Sequence, residues 1–143
     1  MIDQSKWKWF GFSAHLCVGH WCRFHMATEI GSYLISTVGA YVPPSAGSNE
    51  EEESRWLEKN HPGHEIGCER TFETMVFKIV KGSRCTAKEC GCGIPQIELS
   101  ELDFEGYNTP GAATKGHRAM CKKWASKQGK KTKKRGSTRC GKR

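Results

Sequence analysis

The chain has 143 residues, of which 36% are hydrophobic and 16 are glycine, and a mean hydropathy of -0.65. That length fits one domain plus appendages, with too little apolar material for a second independent core, and something besides burial is expected to help hold the first. No apolar run approaches the roughly 18 residues a membrane span needs, and MIDQSKWKWF lacks the apolar centre of a signal peptide, so the chain reads as soluble and cytoplasmic.

The formal net charge of +8 is unevenly placed. Residues 122–143 hold eleven Lys and Arg and no Asp or Glu, which leaves 12 basic against 15 acidic residues in the body. The basicity therefore belongs to a tail. The expected organisation is a domain over residues 1–128 followed by a disordered segment over 129–143, since KQGKKTKKRGSTRCGKR has no apolar periodicity. Lys130, Lys131, Lys133, Lys134 and Arg135 could bind polyanions by counterion release, with little choice of sequence.

Eight cysteines and six histidines are the most informative part of the composition. In a reducing compartment they point to metal before disulfides, because zinc takes thiolate and imidazole ligands. Along the chain the first group is His15, Cys17, His20, Cys22 and His25. Cys17, Cys22 and His25 could hold most of one site, with His15 or His20 as a fourth ligand; an open position there would instead make the site catalytic.

From Arg23 to Val38 the alternation of Phe24, Met26 and Thr28 with His25 and Ala27 predicts a β-hairpin turning at Gly31-Ser32. A loop follows from Val42 to Ser48, then a short acidic helix over Glu50 to Lys59, anchored by Trp56 and Leu57. Thr71 to Val80, rich in β-branched and aromatic residues, predicts a strand in the centre of the sheet.

Directly after that strand, Cys85, Cys90 and Cys92 lie in a Gly-rich loop able to wrap a metal closely. The last element is a helix from Thr109 to Ser126, with Thr109 as N-cap, Pro110 at the first helical position and Gly129 as a stop. Ala113, His117, Met120, Cys121 and Trp124 form one stripe on it, so His117 and Cys121 face the core. Five donors compete for four corners of a tetrahedron, and the expected set is Cys90, Cys92, His117 and Cys121 around zinc, with Cys85 the substitute. The expected fold class is α+β: a small antiparallel sheet packed against the C-terminal helix, stabilised by zinc.

The segments WFGFSAHLCVGHWCRFHMATEIGSYLISTVGAYVP, CERTFETMVF, CTAKECGCGIP and ELDFEGYNTPGAATKGHRAMCKKWA resemble a family of small, uncharacterised proteins encoded by bacteriophages and prophages. The resemblance runs from Trp7 to Ala125, and the residues matching its pattern include His15, Cys17, Cys22, His25, Cys90, Cys92, His117 and Cys121. It implies metal binding and a phage origin, in the cytoplasm of a bacterial host, and names no reaction.

Three functions are consistent with these features. One is a zinc-stabilised module that binds a host macromolecule, protein or nucleic acid. Another is a metal-dependent hydrolase or nuclease with His15, His25 or Glu29 near an open metal position and Asp103 or Glu105 as base, although no HExxH, Walker loop or nucleophile triad accompanies them. A third is a nucleic-acid binder using the tail, with Trp7, Trp9 and Trp21 as stacking surfaces.

Overall fold

The computed structural model describes residues 2–11, 21–61, 63–88 and 90–128. Five antiparallel strands form one sheet in chain order: β1 (Lys8–Phe10), β2 (Cys22–Ile30), β3 (Tyr33–Tyr41), β4 (Phe72–Arg84) and β5 (Pro95–Tyr107). Helix α1 (Glu50–Lys59) lies between β3 and β4, and helix α2 (Pro110–Ala125) closes the described chain. The architecture is α+β, as the sequence implies.

The hairpin turns where expected. Ile30 pairs with Tyr33 across Gly31-Ser32, and Gly31 takes a φ of +56° that a side chain would resist. The Gln128 carboxamide sits over this turn, its Nε2 donating to the Ile30 carbonyl at 2.9 Å, so the end of the helical region is fastened to the start of the sheet.

Two adjacent residues of a strand point to opposite faces, and β3 shows what this does. Tyr33 and Ile35 pack with Ile30, Val76 and Leu102 beneath Met120, Cys121 and Trp124 of α2, forming the core between sheet and helix. Leu34 points the other way and clusters with Ala27 and Ile94. Phe10, Ile79, Cys92 and Ile97 flank that second cluster.

The expected strand over Thr71 to Val80 is present and longer, continuing to Arg84. It lies beside the middle of the sheet rather than in it, because β5 pairs with its outer side and β3 takes the centre. Strand β5 is absent from the sequence reading. Ile97 and Leu99 alternate with Glu98 and Ser100, and Leu102 and Phe104 with Asp103 and Glu105, but the two runs are out of phase across Glu101, where the pairing with β4 shifts register, and Pro95, Leu102 and Asp103 are its buried residues. β1, with three residues, is too short to leave a pattern.

Both helices follow their sequence signals. On α1, Asn49 Oδ1 accepts from the Glu52 amide at 3.0 Å, four glutamates occupy the positive end of the helix, and Arg23 of β2 pairs with Glu53. On α2, Thr109 Oγ1 accepts from the Ala112 amide at 3.1 Å, and the buried stripe is Ala113, His117, Met120, Cys121 and Trp124.

A buried acid ties β5 to α2. Asp103 accepts from Lys123 Nζ at 2.6 Å and from Trp124 Nε1 at 2.9 Å through one carboxylate oxygen. Burial raises the pKa of this carboxyl, but Lys123, the indole N–H and the Phe104 amide outweigh it, and the net shift is downward. Asp103→Ala would leave the buried indole N–H without its acceptor and is expected to cost about 2 kcal/mol. Denaturant unfolding checks this; a change below about 0.5 kcal/mol would mean the indole finds water instead.

No described helix is long and apolar enough to cross a membrane.

Candidate metal centre

The turn between β4 and β5 gathers three of the sequence's metal-ligand candidates. Cys85, Cys90 and Cys92 present their sulfurs within 4.8 Å of one another. Tetrahedral zinc with Zn–S bonds of ~2.3 Å needs sulfurs ~3.8 Å apart, so a small inward movement would complete the contacts.

Local backbone chemistry produces this convergence. The Cys85 amide donates to the Ile94 carbonyl at 2.9 Å, holding the two ends of the loop together after the regular ladder has stopped. Within the loop the Cys90 and Gly91 amides both donate to the Ala87 carbonyl, at 3.2 and 3.0 Å. Gly91 and Gly93, at φ of +61° and +63°, let the chain reverse around Cys92.

Two anchors fix the loop to the sheet. Ile94 is buried against Ala27 and Leu34, and Cys92 packs on the same cluster. Arg84 forks outward: Nη1 donates to the Gly93 carbonyl at 3.1 Å, and Nη2 donates to both carboxylate oxygens of Glu29 at 2.7 and 2.9 Å. A side chain from β4 thus clamps the loop to β2.

Burial pushes the Cys92 thiol up to about 11, the Ile94 amide opposes that shift, and the neighbouring Cys90 and Cys85 add to it. A divalent cation reverses the balance, because each thiolate then faces positive charge, so metal uptake would release protons and weaken in acid.

His117 and Cys121 do not join this cluster, and the reason is topological. Cys121 belongs to the core between sheet and α2, whereas Cys92 packs on the cluster formed by Leu34 on the opposite face. The sheet separates the two pairs. In place of the expected set of Cys90, Cys92, His117 and Cys121, the described residues bring together Cys85, Cys90 and Cys92. Cys85, the substitute in the sequence reading, is one of the three.

Hydrogen bonds to threonines occupy both nitrogens of His117. Nε2 is 2.8 Å from Thr28 Oγ1 and Nδ1 is 2.7 Å from Thr37 Oγ1, which in turn lies 2.5 Å from Thr74 Oγ1. The Tyr107 hydroxyl extends the chain by bonding Thr74, and the Cys121 thiol bonds Thr28. Burial, followed by the Arg118 charge, lowers the imidazole to about 4, so it is neutral at pH 7 and needs one donor and one acceptor, which hydroxyls can provide. Burial raises Cys121 to about 11, which keeps it a thiol. Trp9 of β1 covers the imidazole at a centroid distance of 5.8 Å.

This network was legible only in part. His117 on the core face was expected, but its partners were not. The available signal was three threonines at core-facing positions of three neighbouring strands, opposite one histidine in an apolar stripe. Gly116 belongs to the same arrangement, because a Cβ there would run into the Tyr107 ring and hydroxyl. Gly116→Ala is therefore expected to destabilise by about 1–3 kcal/mol, outweighing the ~1 kcal/mol by which Ala favours a helix, since Tyr107 cannot retreat without leaving Thr74. Thermal unfolding of the variant checks the sign.

Of the N-terminal candidates, His15 and Cys17 lie outside the described residues, as do Lys130, Lys131, Lys133, Lys134 and Arg135 and the expected stop at Gly129. Cys22 is buried, and burial followed by the Glu73 charge pushes its thiol up to about 12. His25 Nε2 donates to the Cys22 carbonyl at 2.7 Å, and burial lowers its pKa. Among the described residues neither belongs to a three-donor cluster. Cys68, which stood apart in the sequence, is disulfide-bonded, contrary to the expectation of reduced thiols throughout. Asp103, a candidate base, is committed to Lys123 and Trp124.

No family model, curated protein or solved structure matches this chain.

Proposed function

We propose that the chain is a small zinc-binding module in which Cys85, Cys90 and Cys92 hold the ion at the β4–β5 turn and present that turn to a host macromolecule, protein or nucleic acid. The convergence of three sulfurs within 4.8 Å carries the reading. Thiolate donors select zinc and other thiophilic ions over magnesium or calcium. Hydrolysis at such a zinc also needs a general acid or base beside the ion, and no described His, Asp or Glu belongs to the cluster. Binding is therefore favoured over the hydrolase alternative.

A reducing compartment, the cytoplasm of a bacterial host, would keep these three thiols available. The Cys68 disulfide is the one feature that points the other way. A phage origin would suit a small accessory protein of this kind and rests on the sequence resemblance alone.

Metal analysis of the full chain, purified under reducing conditions, should give one zinc per chain. Zinc should also slow amide exchange between Cys85 and Ile94 relative to the chelated protein. A chain that takes up no zinc, and whose loop exchanges at the same rate either way, would remove the proposal. The partner class separates by salt: nucleic acid held by the tail would be lost between low and moderate salt and on truncation after Gln128, which keeps the bond from Gln128 to Ile30, whereas a protein partner would be indifferent to both.

A further inference from the structure

None of Cys85, Cys90 and Cys92 is in a disulfide, and all three are partly exposed, so a small oxidant can reach them. Cys22 and Cys121, the two other described thiols, are buried. The Cys92 sulfur is in hydrogen-bonding contact with both Cys90 and Cys85. Sulfurs within 4.8 Å need a closure of at most about 2.8 Å to reach the ~2.0 Å of a disulfide bond. A Cβ at Gly91 or Gly93 would meet no atom within 4 Å, so the backbone on either side of Cys92 has room to supply that movement.

Two bridges can reach Cys92, and they differ in strain. A Cys90–Cys92 bond would close a ring around Gly91 alone, and so small a ring forces the disulfide from its preferred geometry and makes it easier to reduce. Cys85 approaches from the other arm of the loop. Its amide donates to the Ile94 carbonyl at 2.9 Å, and Cys92 packs on the cluster that contains Ile94. A Cys90–Cys92 bond, if formed first, would therefore exchange with the nearby Cys85 thiol and settle as Cys85–Cys92.

We propose that the β4–β5 turn is an oxidation switch: a peroxide joins Cys85 to Cys92 in a disulfide, and a metal held by the three cysteines is released. The disulfide rests on the sulfur positions alone, and the release of metal rests on the zinc-binding reading above. One thiolate of the pair attacks a peroxide oxygen, the O–O bond breaks, hydroxide leaves and a sulfenic acid forms. The second sulfur attacks the sulfenic sulfur, which forms the S–S bond and expels a second hydroxide. Two electrons from the two sulfurs thus reduce one peroxide, the two hydroxides leave as water after taking up protons, and Cys90 takes a third proton as the metal departs. Release follows whichever group completes the metal site, because two of its thiolates are consumed. A thiol reductant reverses the switch by exchange.

The full chain, loaded with zinc and freed of reductant, tests this when treated with one equivalent of hydrogen peroxide beside a chromophoric chelator too weak to strip the untreated protein. Zinc should appear in the chelator in step with disulfide formation, and dithiothreitol followed by zinc should restore the loaded form. Trypsin cleaves after Arg84, Lys88 and Lys115, so a Cys85–Cys92 bond links peptide 85–88 to peptide 89–115, whereas a Cys90–Cys92 bond stays within the second. Cys90→Ser, checked by circular dichroism for an intact sheet, should still give the linked pair. Cys92→Ser should not, and linkage surviving there would overturn the assignment.

A bond confined to peptide 89–115, or sulfinic acid with no linkage, would overturn the switch and leave the zinc-binding reading intact. Linked peptides with zinc still bound would overturn the release. A chain that takes up no zinc but forms the linked pair would remove the zinc-binding reading and support the disulfide by itself.

Discussion

Replacing His117 with alanine is expected to cost about 4 kcal/mol, a large part of the stability of a domain this size. Two terms add. Removing a fully buried ring leaves a cavity between α2 and the sheet, and the Thr28 and Thr37 hydroxyls lose their shared partner in a place closed to water. His117→Gln, whose amide also offers one donor and one acceptor, should recover about half of the loss. The comparison separates hydrogen bonding from volume, and denaturant midpoints at pH 7 are the measurement. Equal losses in the two variants would mean that shape, not polarity, fixes the site.

The same residue sets a pH dependence of defined sign. Burial holds His117 at about 4 in the folded protein, against an ordinary value near 6.5, so between these limits the unfolded chain binds the extra proton. The stability is complete above pH ~6.5 and declines as the pH falls toward 4; His117 accounts for about 2 kcal/mol between pH 7 and 5. His25, also lowered by burial, acts in the same direction, so the quantity to measure is the difference in pH dependence between wild type and His117→Gln. Asp103 acts in a lower range. Its pKa is depressed, so its contribution is present above the ordinary carboxylate range and is lost only as the pH falls through the depressed value. If wild type and His117→Gln weaken in parallel from pH 7 to 5, the imidazole is not the group being protonated.

What the sequence revealed followed the strength of local patterns. The β2–β3 hairpin, α1, the buried stripe of α2 and the start of β4 each carry a cap, a turn glycine or a clear period, and each is present. Strand β5 carries no single period, because its two alternating runs fall out of phase across Glu101, where the register with β4 shifts, and Asp103 is buried only by virtue of Lys123 and Trp124, which are distant in sequence. Missing β5 also displaced β4 from its actual position beside the centre. The same kind of information was lacking at the metal site. Spacing alone allows a cysteine loop to meet a histidine and cysteine one turn apart on a helix, but it does not say on which face of the sheet each lies. Cys92 and Cys121 differ in just that respect.

The separation by the sheet sets the second large effect, in which Cys92→Ser and Cys121→Ser are expected to behave in opposite ways. Cys92 is one of three sulfurs at the β4–β5 turn, and structural zinc sites gain on the order of 10 kcal/mol from four ligands. Losing one thiolate should thus weaken zinc binding by about 3 kcal/mol, a factor of roughly 100 in affinity. Cys121 is fully buried on the other face, a thiol bonded to Thr28, and serine there keeps a hydrogen-bonding group at slightly smaller size. Cys121→Ser should bind zinc as wild type does and lose about 1 kcal/mol of stability. Zinc titration beside thermal unfolding reads both quantities. Loss of zinc in Cys121→Ser with Cys92→Ser unaffected would restore the helix as a source of ligands. Chelation should likewise loosen the turn and the adjoining ends of β4 and β5 without unfolding the protein, because Ile35, Val76, Met120 and Trp124 pack against one another without any contribution from the three cysteines.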